Sequence, residues 1–288
     1  IHLSDTGFAL VGAQARALGG DVRLEGGMGS PGSAHPVPGI KAPAPQQLRM
    51  QGSVTAEGLR QARELGFAAG LAQYANGTSN YTASLGVRAG VAELSINSNL
   101  VGMALNLPAP FGKSADAALP LVLETAAVKA SLVAGNDGVL HVQDQIQLDV
   151  GKLASIAFVR DVSGAEARVL RGAIAVGLAA DESAPLPTEG VVANVNLAKL
   201  DLDAWSEVLS RAAGADLSPV GVATSGASAS TSYLPTSVAV RARELMAGGR
   251  RLSNVVVGGG REGLLWRANL DASEMNGYVE YRQSSGPA

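Results

Sequence analysis

The sequence predicts a mainly-β protein, an antiparallel sheet with two short helices, and three observations carry that. First, apolar and polar residues alternate with period two in many runs, which is the mark of a half-buried strand. The cleanest run is HVQDQIQLDV, in which Val142, Ile146, Leu148 and Val150 face one way and Gln143, Gln145, Gln147 and Asp149 the other; Asp144 alone breaks the pattern. Second, 36 of the 288 residues are glycine, and turn signals separate the runs at short intervals, which favours antiparallel neighbours. Third, only two segments, near 55–65 and 203–213, show the spacing of an amphipathic helix.

Taken in order, residues 1–28 read as a meander with strands at 1–4, 8–16 and 21–25 and turns at Asp5-Thr6-Gly7 and Leu18-Gly19-Gly20. Residues 29–45 carry five prolines and read as a loop. A central segment, 46–214, opens with the strand QQLRMQGSV. The helix TAEGLRQARELG comes next, with Thr55 as its cap, Leu59, Ala62 and Leu65 on one face and Gly66 at its end. In YTASLGVR, Tyr81, Ala83, Leu85 and Val87 share a face; in VAELSIN, Ala92, Leu94 and Ile96 do. NLPAPFGK is a proline-bent loop, and PLVLETAAVKASLVA, 120–134, is a strand or hairpin. SIAFVRD and RVLRGAIAVGL are further strands, the second with Ile174, Val176 and Leu178 in phase. VVANVNL then leads into a helix capped by Asp201 or Asp203, with Leu202, Trp205, Leu209 and Ala212 as its stripe and Gly214 as its stop. Residues 215–235 are a Ser/Gly loop, and 236–283 a meander that continues the same sheet. Long strands and few helices leave one apolar sheet face, which a second sheet, the helices or a ligand must cover.

Net charge is −3 and the isoelectric point about 5.7, which excludes the basic footprint of a nucleic-acid binder. The chain has no cysteine, so thiol catalysis, disulfides and cysteine-bound metals are excluded. Hydrophobic residues make up 47%, charged residues 16% and aromatic residues 4%, an apolar balance that fits either a small-residue composition or apolar surface kept for a ligand. No apolar run reaches 18 residues, so no membrane-spanning helix is expected. The chain begins at Ile1, inside what reads as a strand, and is expected to be a segment of a longer protein.

No motif carries convincing chemistry. VVVGGGREG places Gly258, Gly260 and Gly263 in the G-x-G-x-x-G spacing. The run after Gly263, LLWRANLDAS, alternates like a strand, so these glycines are expected to form the tight connection of a hairpin, not a nucleotide-binding turn. His2, His35 and His141 lack partners at metal-ligand spacing. GVATSGASAS is not a nucleophile elbow. The carboxylates Asp201, Asp203, Glu244 and Glu262 could pair in space, but the first two have simpler work as caps. Asn76-Gly-Thr and Asn80-Tyr-Thr match glycosylation sequons and are read as turns. Trp205 reads as a core anchor, while Trp266 lies on the face that a ligand would use. The expectation is a protein without cofactor, metal or catalytic residues.

One passage resembles a known family. In SNLVGMALNLPAPFGKSADAALPLVLE, residues Ser98, Leu100, Gly102, Leu107, Pro108, Pro110, Lys113, Pro120 and Leu121 are similar to a passage of YhdP-type proteins, large AsmA-like proteins of Gram-negative envelopes. LRGAIAVG, NLAKLDLDAW and the closing GGRRLSNVVVGGGREGLLWRANLDASEMNGYVEY also resemble that family in order, so the likeness covers most of 50–283. The resemblance implies a strongly curved β-groove in the periplasmic portion of an inner-membrane-anchored protein. Its partners would be phospholipid acyl chains and neighbouring segments of the same long chain. Its role would be non-enzymatic phospholipid transport between the two membranes, supporting outer-membrane integrity. The lining residues are then expected to be Tyr81, Leu85, Val87, Leu94, Ile96, Ile146, Leu148, Ile174, Val176, Leu264, Trp266 and Leu270, assigned by strand parity. The alternative is a structural or assembly module whose apolar faces close on themselves and which binds envelope proteins.

Overall fold

The structure, a computed structural model, describes residues 2–4, 7–29, 47–88, 91–128, 142–164, 166–179, 184–214, 233–263 and 265–282. Fifteen strands form one sheet that does not close on itself. They are β1 (His2–Ser4), β2 (Gly7–Ala17), β3 (Gly20–Gly29), β4 (Gln47–Thr55), β5 (Ala75–Arg88), β6 (Val91–Ser98), β8 (Leu121–Ala127), β9 (Gln143–Val150), β10 (Ala154–Asp161), β11 (Arg168–Val176), β12 (Gly190–Asp201), β13 (Ser237–Ala247), β14 (Arg250–Glu262), β15 (Leu265–Asp271) and β16 (Asn276–Arg282). Their order in space is their order in the chain. A short strand, β7 (Met103–Leu105), pairs with the start of β5. At about 4.8 Å per strand the sheet runs for roughly 65 Å. β1, β2 and β3 are consecutive neighbours at one edge, and β13 to β16 lie in the same sheet at the other. The prolines of 30–45 lie outside the described residues, as do 129–134 of the segment 120–134 expected to be a strand or hairpin.

Pairing is antiparallel except at β12, which runs parallel to both β11 and β13. The reason is in the connections. Parallel neighbours need a crossover that returns the chain to the same end. Here 177–189 serves the first crossover, and the second consists of the helix α3 (Leu202–Gly214) with the chain after it.

Three helices are present among the described residues, one more than the spacing predicts. The helix after β4 starts as expected: Thr55 accepts a hydrogen bond from the Gly58 backbone N–H at 2.9 Å. It stops at once, however. α1 (Ala56–Gln61) ends where Ala62 leaves helical geometry; a single 3-10 turn, Arg63–Leu65, and Gly66 (φ +54°) then redirect the chain into α2 (Phe67–Leu71). The stripe on α3 is also differently placed. Leu202 and Leu209 are exposed, at 44% and 45%, whereas Val208 and Ala212 are buried. Trp205 joins that inward face, its ring edge-on to Phe111 at 5.7 Å between centroids and its Nε1 donating to the Ala109 carbonyl at 3.2 Å. Helix α3 packs on α2, so it faces helices as well as the sheet, and this moves its buried stripe.

Two turn expectations are corrected. Asn76 and Asn80 lie inside β5, which starts early because it first pairs with β7. Gly258 and Gly260 lie inside β14; the turn comes at Gly263 (φ +59°). Space is short at Gly259, between Gly258 and Gly260: a Cβ there would stand 2.7 Å from the Ala268 Cβ and 2.5 Å from the Arg267 carbonyl oxygen.

The core is small. One cluster gathers Val54, Ala56, Ala75 and Met103 where α1 meets β4 and β5. Another gathers Ala242, Leu245 and Val255 between β13 and β14. Among the described residues the largest fully buried side chains are valines. A β-sandwich of this length would bury many leucines, isoleucines and phenylalanines between its sheets.

Candidate functional site

Register decides which side chains share a face, because directly opposed residues on neighbouring strands point the same way. From β4 to β6 the pairs are Met50 with Ala83, Leu85 with Leu94, Ala83 with Ile96, and Val87 with Ala92. Leu123 joins Ile96 to Leu148, and Thr125 joins Leu94 to Ile146. Ile156 joins Leu148 to Ile174, and Ala154 joins Val150 to Val176. The same face continues through Ala193 and Val195, Val238 and Val240, then Val257 to Leu270 and Arg261 to Trp266. Eleven of the twelve residues expected to line a groove therefore lie on one face of one sheet; Leu264 lies outside the described residues.

None of the eleven is buried. Ten are half-buried and Val87 is 40% exposed. In a single layer this is the degree of cover that neighbouring side chains on the same face provide. On β6 and β9 the opposite face is polar, with Glu93, Ser95 and Asn97 on β6 and Gln143, Gln145, Gln147 and Asp149 on β9. There Gln147 donates to Asp149 at 3.0 Å and to Ser155 at 2.9 Å. Burial pushes the Tyr81 hydroxyl above its usual value, in keeping with an apolar setting on the first face.

Asp144, the exception in the β9 alternation, points into the apolar face opposite its direct partner Arg160. Arg160 Nε meets Oδ1 at 2.9 Å and Nη2 meets Oδ2, a bidentate pair, while Nη1 donates to the Tyr233 hydroxyl at 3.3 Å. The Tyr233 ring stands edge-on to Phe158 at 5.1 Å. Parity flags Asp144 as an irregularity, but only the register supplies its partner.

The two ends of the strands differ. At one end α1, α2 and α3 form a ledge with the 99–113 segment. A cavity of about 580 Å³ opens there between α3, the end of β12 and residues 106–109. The segment is tied by Lys113, whose Nζ donates to the carbonyls of Leu100 and Ser114, both at 2.9 Å, and of Met103. Ser98 Oγ donates to the Asn80 carbonyl at 2.7 Å, and the Gly102 N–H to the Ala115 carbonyl at 2.7 Å. The residues that carry the family resemblance thus build a support for the ledge. One continuous row crosses the middle of β9 to β11 at Ile146, Phe158 and Gly172 and reaches the other strand end at Val191, Thr236, Arg261, Trp266 and Tyr281.

The carboxylates do not gather. Asp201 caps α3 through the Ala204 N–H at 2.9 Å, Asp203 binds the Gly248 and Gly249 N–H groups, Glu244 lies near Lys199 and Arg251, and Glu262 pairs with Arg267. Among the described residues no cluster suits a metal ion, and no helix is long and apolar enough to cross a membrane. His35 and His141 lie outside the described residues.

These features define a class: an open, single-layer, mostly antiparallel sheet with one long apolar face. The family model of the YhdP protein matches residues 2–288, and the chain belongs to that family, whose members are AsmA-like envelope proteins. Neither the curated proteins nor the solved structures give a match.

Proposed function

We propose that this chain is a non-enzymatic, periplasmic segment of a phospholipid conduit between inner and outer membrane. One observation supports the reading above the others: an apolar face runs from β4 to β16 of an open sheet, and ten of its expected lining residues are half-buried while Val87 is exposed. Each methylene removed from water contributes about 0.8 kcal/mol, so acyl chains gain by lying on such a face. Burial is not directional. A lipid held in this way can slide from strand to strand without breaking a fixed set of hydrogen bonds, and no catalytic residue is needed. Family membership points the same way, since it puts the chain in the envelope.

Native mass spectrometry of the folded 288-residue chain tests the reading. Phospholipid adducts are expected with the wild type. Ile146→Asp with Leu148→Asp, in the middle of the face, is expected to remove most of them while the far-UV spectrum stays that of a β-protein. Adducts that persist unchanged in the folded double variant would place the lipid elsewhere.

A further inference from the structure

Among the described residues the apolar face carries few charges, and all but one have an ion-pair or capping partner. Arg160 is held by Asp144, and near the helical ledge Lys199 and Arg251 lie 3.6 Å and 3.7 Å from Glu244. Arg261 is the exception among the described residues. It is half-buried, it faces Trp266 across β14 and β15, and its Cζ sits 5.8 Å from the centre of the indole ring. The nearby carboxylates Glu262 and Glu280 are on the other face, each held by Arg267 at 3.0 Å. Tyr281, 60% exposed, flanks Trp266 on the far side. The next row toward the ledge is Gly259, Ala268 and Val279, a shallow strip of small side chains.

We propose that Arg261, lying over the Trp266 ring that Tyr281 flanks, is where the groove holds the phosphate of a phospholipid, with the acyl chains along the strip below it. The inference rests on the lipid-conduit reading and adds a headgroup position to it. An arginine held over an indole by a cation–π contact uses none of its N–H groups there, so they stay free for the oxygens of a phosphodiester. It sits in the row at one end of the strands, where a headgroup can stay in water while its chains leave it. A phospholipid supplies both the missing anion and the alkyl chains that the neighbouring strip accepts; a free phosphate supplies only the first.

The sequence contains two tryptophans, so Trp205→Phe in the full chain leaves Trp266 as the sole emitter. Phosphatidylglycerol brominated near the ester end of its chains is expected to quench Trp266 more than the same lipid brominated near the chain end. Arg261→Gln is expected to weaken phosphatidylglycerol binding about tenfold and to leave binding of a diacylglycerol with the same chains unchanged; Arg261→Lys should restore part of the loss. If Arg261→Gln weakens neither lipid, or both equally, the phosphate position is wrong and the conduit reading stands. If neither lipid binds, both readings fail. If inorganic phosphate at the same concentration shifts Trp266 emission as the lipid does, the site is a simple anion site and the lipid assignment is overturned.

Discussion

Asp144 shows what a single residue costs on this face. Its side chain is 7% exposed, and Arg160 is its bidentate partner. Removing one partner leaves an uncompensated charge against hydrocarbon, whereas removing both leaves an apolar surface. Arg160→Leu is therefore expected to lower stability by about 3–5 kcal/mol, read as a fall in the urea midpoint. Asp144→Leu combined with Arg160→Leu should return the midpoint to the wild-type value or above. A double variant as weak as the single would mean that Tyr233, not the ion pair, holds this part of the sheet.

At the scale of elements, the ledge is an assembly of short pieces that depend on close contact. A Cβ on Gly70 would lie 2.3 Å from the Ala212 carbonyl oxygen, so α2 and α3 meet backbone to backbone. Gly70→Leu should force them apart and cost about 1–3 kcal/mol, measurable by thermal unfolding; an unchanged midpoint would show that the helices do not need each other. Asp203 ties α3 to the β13–β14 turn by accepting from the Gly248 and Gly249 N–H groups at 2.7 Å and 2.9 Å. Those backbone bonds, Gly249 first, hold its carboxyl below the usual range. The folded pKa is thus the lower one. Its stabilisation is complete above the unfolded carboxylate value and is lost as pH falls through the folded value. Asp203→Asn should flatten the decline in thermal midpoint between about pH 5 and pH 3, and a decline as steep as in the wild type would exclude this contact as its source.

For the whole molecule, the decisive property is that no second sheet of the described residues covers the apolar face. Folded proteins with sealed cores bind hydrophobic dyes weakly and gain fluorescence when loosened. Here the native state itself is expected to enhance the emission of anilinonaphthalene sulfonate, and phospholipid should displace the dye. A dye signal that appears only as urea unfolds the chain would show that the face is covered. Lipid in excess should also raise the thermal midpoint by mass action, because it binds the folded sheet and not the unfolded chain.

The strands and their facing were legible in the sequence because the side-chain period of two is local. Tyr81, Leu94, Ile146 and Ile174 each declare a face within their own seven or eight residues, and the meander order lets those faces join. The helix cap at Thr55 and the end of α3 at Gly214 were legible for the same reason. What the sequence could not show was anything set by distant chain. Parallel pairing of β12 depends on where two crossovers return, the inward stripe of α3 on its contact with α2, the partner of Asp144 on the register of β9 with β10, and the interior position of Gly258 and Gly260 on the pairing of β14 with β13 and β15. Local alternation determines that this chain has an apolar face. Only the tertiary structure decides that the described strands form one sheet with no second sheet over that face, because covering depends on whether another layer folds back over the sheet, and no seven-residue pattern encodes that.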